Sequence, residues 1–131
     1  MVFLDSNAVI YLIEQPPIIG AMITARVTAL LASGERLAVS DLVRMECAVG
    51  PLKANDAVLL AKYATFFASP EVDVLAVSAA VCDRAASIRA QFGLRPLDSL
   101  HLSAAVEYGC TLLLTKDVHF QRFTGMQVEI L

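Results

Sequence analysis

Val2-Phe3-Leu4-Asp5-Ser6-Asn7 opens the chain with the stretch that decides the fold. Three consecutive apolar residues are apolar on both sides of a pleat, which suits a short strand buried on both faces. Asp5 ends that run. Ser6 or Asn7 then offers a side-chain oxygen to cap a helix carrying Ala8, Val9, Leu12 and Ile13. A buried strand passing directly into a helix is the first half of a crossover between parallel strands, since parallel pairs cannot be joined by a tight hairpin.

The same alternation continues outward. Pro16-Pro17 stops the first helix, and a second spans 19–32, closed by Ser33-Gly34. Residues 36–39 form the next strand. Ser40 or Asp41 caps a helix through Val43, Met45, Glu46 and Val49, which Gly50-Pro51 is expected to end. A helix over 55–67 closes at Ser69-Pro70, and Asp73-Val74-Leu75 is a third short strand. Ser78 precedes a helix to about residue 91, ended by Gly93, and Pro96 leads into another over 98–108, stopped by Gly109. Thr111 to Leu114 is the cleanest buried strand. After Thr115-Lys116-Asp117 comes a short segment with Phe120 and Phe123, then a last strand at 128–131. Strands that alternate with helices predict an α/β fold, a parallel sheet covered by helices on both faces.

Composition sets bounds on this reading. The chain has 131 residues, 57% hydrophobic and 18% charged, with a mean hydropathy of +0.65. That excludes a disordered segment and fits one domain over residues 1–131. The longest uncharged stretch, Gln15 to Ala25, contains Pro16, Pro17 and Gly20 and does not make a membrane-spanning helix. Met1 to Leu4 runs into Asp5 without a basic leader, so a cytoplasmic protein is expected. Ten Lys and Arg against thirteen Asp and Glu give a net charge of −3. A protein of this balance that handles a polyanion needs some acids neutralised by a bound cation. Cys47, Cys82 and Cys110 are too widely spaced for a zinc pair and are read as buried reduced thiols.

Four acids stand out by position. Asp5 and Asp117 follow strands, at the carboxyl edge where open α/β sheets bind ligands. Asp98 opens a helix, and Glu46 lies one turn into another among apolar neighbours. Each has a plain alternative, because an Asp after a strand also forms turns and an Asp at a helix start caps it. Converging carboxylates repel, however, and a hard divalent ion with oxygen ligands, Mg²⁺ or Mn²⁺, relieves that repulsion.

At this point the sequence resembles the PIN-domain family, and within it the VapC-type toxins of toxin–antitoxin pairs. The likeness rests on Phe3-Leu4-Asp5-Ser6-Asn7 with Ile10-Tyr11, on Val39-Ser40 leading to Glu46, on Pro96-Leu97-Asp98-Ser99-Leu100-His101, and on Leu113-Leu114-Thr115-Lys116-Asp117 with Phe120. It runs from Val2 to Leu131. The resemblance implies a PIN-like fold with a central sheet of four or five parallel strands. It also implies a Mg²⁺- or Mn²⁺-dependent endoribonuclease that hydrolyses RNA phosphodiester bonds with metal-activated water. On that likeness Asp5, Glu46, Asp98 and Asp117 are the catalytic acids, with Asp5, Asp98 and Asp117 as metal ligands. Ser6, Asn7 and Thr115 orient them. Some relatives carry a further acid two residues beyond the last Asp, where this chain has His119, and others carry Asn where it has Lys116. One ion or two therefore stays open.

Lys116, His119 and Arg44 are candidate contacts to substrate or antitoxin, each also readable as a solvated surface residue. His101 sits between Leu100 and Leu102 and is read as a core or supporting histidine. The resemblance further implies a homodimer and a VapB-like antitoxin packed on the early helices. There Ile18, Ile19, Met22 and Ile23 cluster, with Val27, Leu30 and Leu31 further along and Leu12 and Ile13 beside them, apolar over more than one face; internal packing of the same residues is the plain alternative. The alternative is a non-catalytic PIN-like module that binds RNA or protein. A phosphotransfer domain using Asp5 as nucleophile is weaker, since its Asp-x-Asp pattern is broken by Asn7.

Overall fold

The computed structural model describes residues 1–131. It contains strands β1 (Val2–Leu4), β2 (Leu37–Ser40), β3 (Val72–Leu75), β4 (Leu112–Thr115) and β5 (Gln127–Ile130). Its helices are α1 (Ser6–Glu14), α2 (Ile19–Ala32), α3 (Asp41–Lys53), α4 (Ala57–Phe67), α5 (Ala79–Phe92) and α6 (Pro96–Glu107), with a 3-10 turn at Val118–Arg122. All strand pairs are parallel, in the order β3-β2-β1-β4-β5. This is the α/β sheet expected from the alternation, with five strands.

Strand order explains where a site forms. From β1 the chain winds outward to β2 and β3, then crosses back to β4 and β5 on the other side of β1. Reversing the direction of right-handed crossovers puts successive helices on opposite faces. Accordingly α1 packs on α2 and α3, α3 on α4, and α5 pairs with α6. Helices diverge from opposite faces between β1 and β4, leaving the crevice at which such sheets bind ligands. Leu4 pairs with Leu114 there, so Asp5 and Thr115 emerge side by side. The three inner strands are buried at every residue, and Phe3, Leu4, Val39, Leu113, Leu114 and Phe120 lie at the centre of the core.

Four local expectations change. The first helix is capped by Asp5, whose side chain accepts the Ser6 N–H at the end of β1, and not by Ser6 or Asn7, which both lie inside α1. The α3 helix runs past Gly50-Pro51 to Lys53 with Pro51 inside it. Gly50 lacks the Cβ that normally clashes with a following proline ring in helical conformation, so the chain continues for one more turn. Cys47 and Cys110 are buried as expected, but Cys82 is exposed because it faces outward on α5. Burial pushes the Cys47 thiol up to about 12 and that of Cys110 to about 11, which leaves both as unreactive thiols. The early apolar helices divide: Ile23, Val27 and Leu30 enter the core, whereas Ile18 and Met22 stay exposed. Ile18 takes φ 70° and ψ −65° in the tight turn after Pro17, a strained conformation for a β-branched residue. No single helix is long and apolar enough to cross a membrane.

Candidate active site

Asp5 is held at the end of β1 by its own neighbours. Its Oδ1 accepts the Ser6 backbone N–H at 2.8 Å, capping α1. Oδ2 accepts Thr115 Oγ1 at 2.7 Å and Asn7 Nδ2 at 2.8 Å. Asn7 completes the frame by accepting the Lys116 N–H at 2.7 Å through its Oδ1. The carboxylate is thus fixed from both β1 and β4. Burial pushes its pKa above 3.8, against the opposing pull of His101 and the hydrogen bonds from Thr115 and Ser6, while Glu46 adds to the rise.

Glu46 reaches the same region from α3. Its Oε1 accepts Ser6 Oγ at 2.6 Å and faces His101 Nε2 at 2.6 Å. Those bonds, His101 first, hold its carboxyl below 4.5 despite partial burial. His101 is buried on α6, its ring 5.9 Å from that of Phe3. Nε2 also lies 3.7 Å from Asp5 Oδ1, so the imidazole stands between two acids. With Nε2 donating to Glu46, Nδ1 is left to accept from Ser40 Oγ at 3.5 Å.

Asp98 and Asp117 form the outer half. Arg95 Nε donates to Asp98 Oδ2 at 2.8 Å and its Nη2 to Asp117 Oδ2 at 2.7 Å. Asp117 Oδ1 accepts the His119 backbone N–H at 2.9 Å and His119 Nδ1 at 2.7 Å. Burial raises the Asp117 pKa, but the His119 bonds and the charges of His119 and Arg95 outweigh it and leave it below 3.8. Glu46, Asp98 and Arg95 line one cavity of about 430 Å³ with Pro96 and Leu97.

A PIN domain family model matches residues 2–126. The chain belongs to the PIN domain family. Among solved structures, this PIN domain is similar to VapBC2 from Rickettsia felis bound to a promoter DNA fragment, with TM-score 0.81, 20% identity, and coverage of 100% of this chain and 99% of that one. It is also similar to VapBC-1 from nontypeable Haemophilus influenzae (TM-score 0.74, 26% identity, 99% and 98% covered). A third likeness is to VapC20 of Mycobacterium tuberculosis, described as a sarcin-ricin loop cleaving toxin (TM-score 0.75, 16% identity, 97% and 99% covered). No curated protein matches the sequence.

In this PIN domain the four acids expected from the sequence reach one edge of the sheet, in two linked halves. Asp5 and Glu46 share Ser6 and His101, while Asp98 and Asp117 share Arg95. Ser6 donates to Glu46, and Asn7 and Thr115 donate to Asp5. Arg44 does not join the site; it pairs with Asp41 at 3.1 Å on the outer side of α3. Lys116 contributes a backbone N–H, and its ammonium group pairs with no carboxylate. His119 is exposed and supports Asp117.

The donor set suits a hard cation, being all carboxylate and hydroxyl oxygen, with Arg95 the one permanent positive charge bonded to it. Glu46 Oε2 and Asp98 Oδ1 accept no hydrogen bond from the protein. No three potential ligands are already gathered around one point. Arg95 holds one oxygen each of Asp98 and Asp117 and so competes with an ion for these two carboxylates. Arg95 was invisible to the motif reading, although an Arg three residues before an Asp at a helix start is a spacing that brings such side chains together.

Proposed function

We propose that this PIN domain is a Mg²⁺- or Mn²⁺-dependent endoribonuclease, the toxin of a toxin–antitoxin pair. The observation that supports the reading is the arrival of Asp5, Glu46, Asp98 and Asp117 at one edge of the sheet, Asp5 and Glu46 held through Ser6 and His101 and Asp98 and Asp117 through Arg95. Asp5, Asp98 and Asp117 would hold the cation, with Glu46 completing the acidic set. A divalent cation held there would supply activation of water and stabilisation of charge on the scissile phosphate. The protein's own groups prepare the place. Thr115 and Asn7 fix Asp5, Ser6 and His101 fix Glu46, and His101 holds a proton at Nε2 between Glu46 and Asp5.

A VapB-like antitoxin is the proposed partner, as in the VapBC assemblies that this fold resembles. It would lie in the groove of about 780 Å³ between α1 and α4, lined by Leu12, Ile13, Ala57, Val58, Ala61 and Lys62. A homodimer acting in the cytoplasm belongs to the same reading. The alternative, a binding module without catalysis, is less favoured because an idle acidic cluster costs stability through repulsion.

The test is cleavage of a mixed, structured RNA pool by purified protein with Mg²⁺, Mn²⁺ or EDTA, alongside Asp5→Asn. Metal-dependent cutting that disappears in the variant supports the nuclease. RNA binding with no cutting in any metal moves the weight to the non-catalytic module.

A further inference from the structure

The cations of this acidic protein are not spread evenly with respect to their partners. Arg26, Arg36, Arg44 and Arg84 each pair with a carboxylate away from the site. Lys53, Lys62, Arg89, Lys116 and Arg122 pair with none. Two of these five, Arg89 and Arg122, line consecutive clefts that lead to the carboxylates, and Lys116 adjoins Asp117.

The clefts adjoin, each bordered by residues that also line the next. The first, about 440 Å³, lies at the end of α5 between Ala86, Arg89, Ala90, Gly93 and Leu94. Gly93 and Leu94 pass into the second, about 250 Å³, which Arg95, Asp98, His119 and Arg122 complete. Arg95 and Asp98 are in turn walls of the Glu46 cavity. Gly93 ends α5 in the left-handed conformation, and no atom lies within 4 Å of where its Cβ would stand. The floor of the groove is therefore open at the junction. Arg89 Nε donates to Leu94 O at 3.2 Å, which anchors its side chain beside this floor.

We propose that this groove seats a single strand of RNA, its backbone running from Arg89 past Gly93 and Arg122 to Arg95 and into the acidic site. The inference rests on the ribonuclease reading and adds to it the direction from which substrate enters. A polyanion is attracted where cations lack partners, and a protein of net charge −3 must concentrate that attraction locally. A nucleic-acid strand is favoured over an acidic peptide because it carries a phosphate at every nucleotide, a regular spacing of charge that successive unpaired cations along one track can follow, and because the proposed ribonuclease acts on that backbone.

The experiment measures binding of a short fluorescein-labelled RNA of mixed sequence by anisotropy, in the Asp5→Asn background, from about 50 to about 200 mM KCl. Arg122→Ala and Arg89→Gln are compared with Lys62→Ala, which removes an unpaired cation from the separate groove between α1 and α4. Arg122 is exposed, so its replacement leaves the packing intact. Arg122→Ala is expected to weaken binding several-fold and to reduce the log–log salt slope by about 0.7, one single-strand phosphate contact. Arg89→Gln should do likewise and Lys62→Ala should do neither. Unchanged binding in Arg122→Ala and Arg89→Gln, with wild-type protein still cutting RNA, overturns the track and leaves the nuclease standing. Failure of the wild type both to cut and to bind overturns both.

Discussion

His101 Nε2 lies 2.6 Å from Glu46 Oε1, and the imidazole that makes this contact is 1% exposed. One buried ring from α6 thus fixes an acid from α3 and lies against the strand that carries Asp5. His101→Ala removes the contact and opens a void beside Phe3. It should cost about 2–4 kcal/mol in urea unfolding. The Glu46 carboxyl, held down first by His101, should move upward in an NMR titration of the same variant.

Asp5 and Glu46 respond to pH with opposite signs in the metal-free protein. The Asp5 pKa is raised in the folded state, so its favourable contribution is full below the unfolded value of about 3.9 and is lost as pH rises through the folded pKa. Glu46 is lowered, so its contribution is present above about 4.3 and is lost as pH falls through its folded pKa. Melting Asp5→Asn beside wild type from acid to neutral pH should show the variant gaining relative stability as pH rises. A constant offset would mean that burial does not penalise the Asp5 charge.

Arg95→Ala tests the competition between guanidinium and metal. The side chain is 69% exposed, so its loss should cost the metal-free fold at most about 1 kcal/mol. With Asp98 and Asp117 released, Mn²⁺ should bind about two- to fivefold more tightly by calorimetry. Weaker binding would show instead that Arg95 organises the two carboxylates for the ion.

Ser99 is 1% exposed and its hydroxyl has no hydrogen-bond partner. Ser99→Ala should leave stability unchanged or raise it by up to about 1 kcal/mol in denaturant titration, because a buried unpaired hydroxyl is being removed. A clear loss would indicate a water or ligand on that oxygen.

Ile18 combines positive φ with 81% exposure. Ile18→Gly relieves the strain and loses little burial, so thermal unfolding should show a gain of about 1 kcal/mol after the entropy cost of glycine. An unchanged or lower melting temperature would place the strain elsewhere.

Most of the architecture was legible along the chain, because its signals are local. Apolar triplets marked strands buried on both faces, and Ser40 and Ser78 cap α3 and α5 as their positions promised. Pro51 misled because the rule that proline ends a helix depends on the residue before it, and Gly50 removes the clash. Asp5, Glu46, Asp98 and Asp117 were recognisable from their places after strands and near helix starts.

What the sequence by itself determined is therefore the order of strands and helices and the identity of the acids, since hydrophobic period and capping act over a few residues. Only the tertiary structure decided which acids share a partner. Placing β4 beside β1 brings Thr115 onto Asp5 across 110 positions, and packing α6 against β2 brings His101 onto Glu46 across 55. Arg95 joins Asp98 to Asp117 for the same reason. The long-range pairings depend on strand order and helix packing, which no local pattern encodes, and they bring four separate acids to one edge of the sheet.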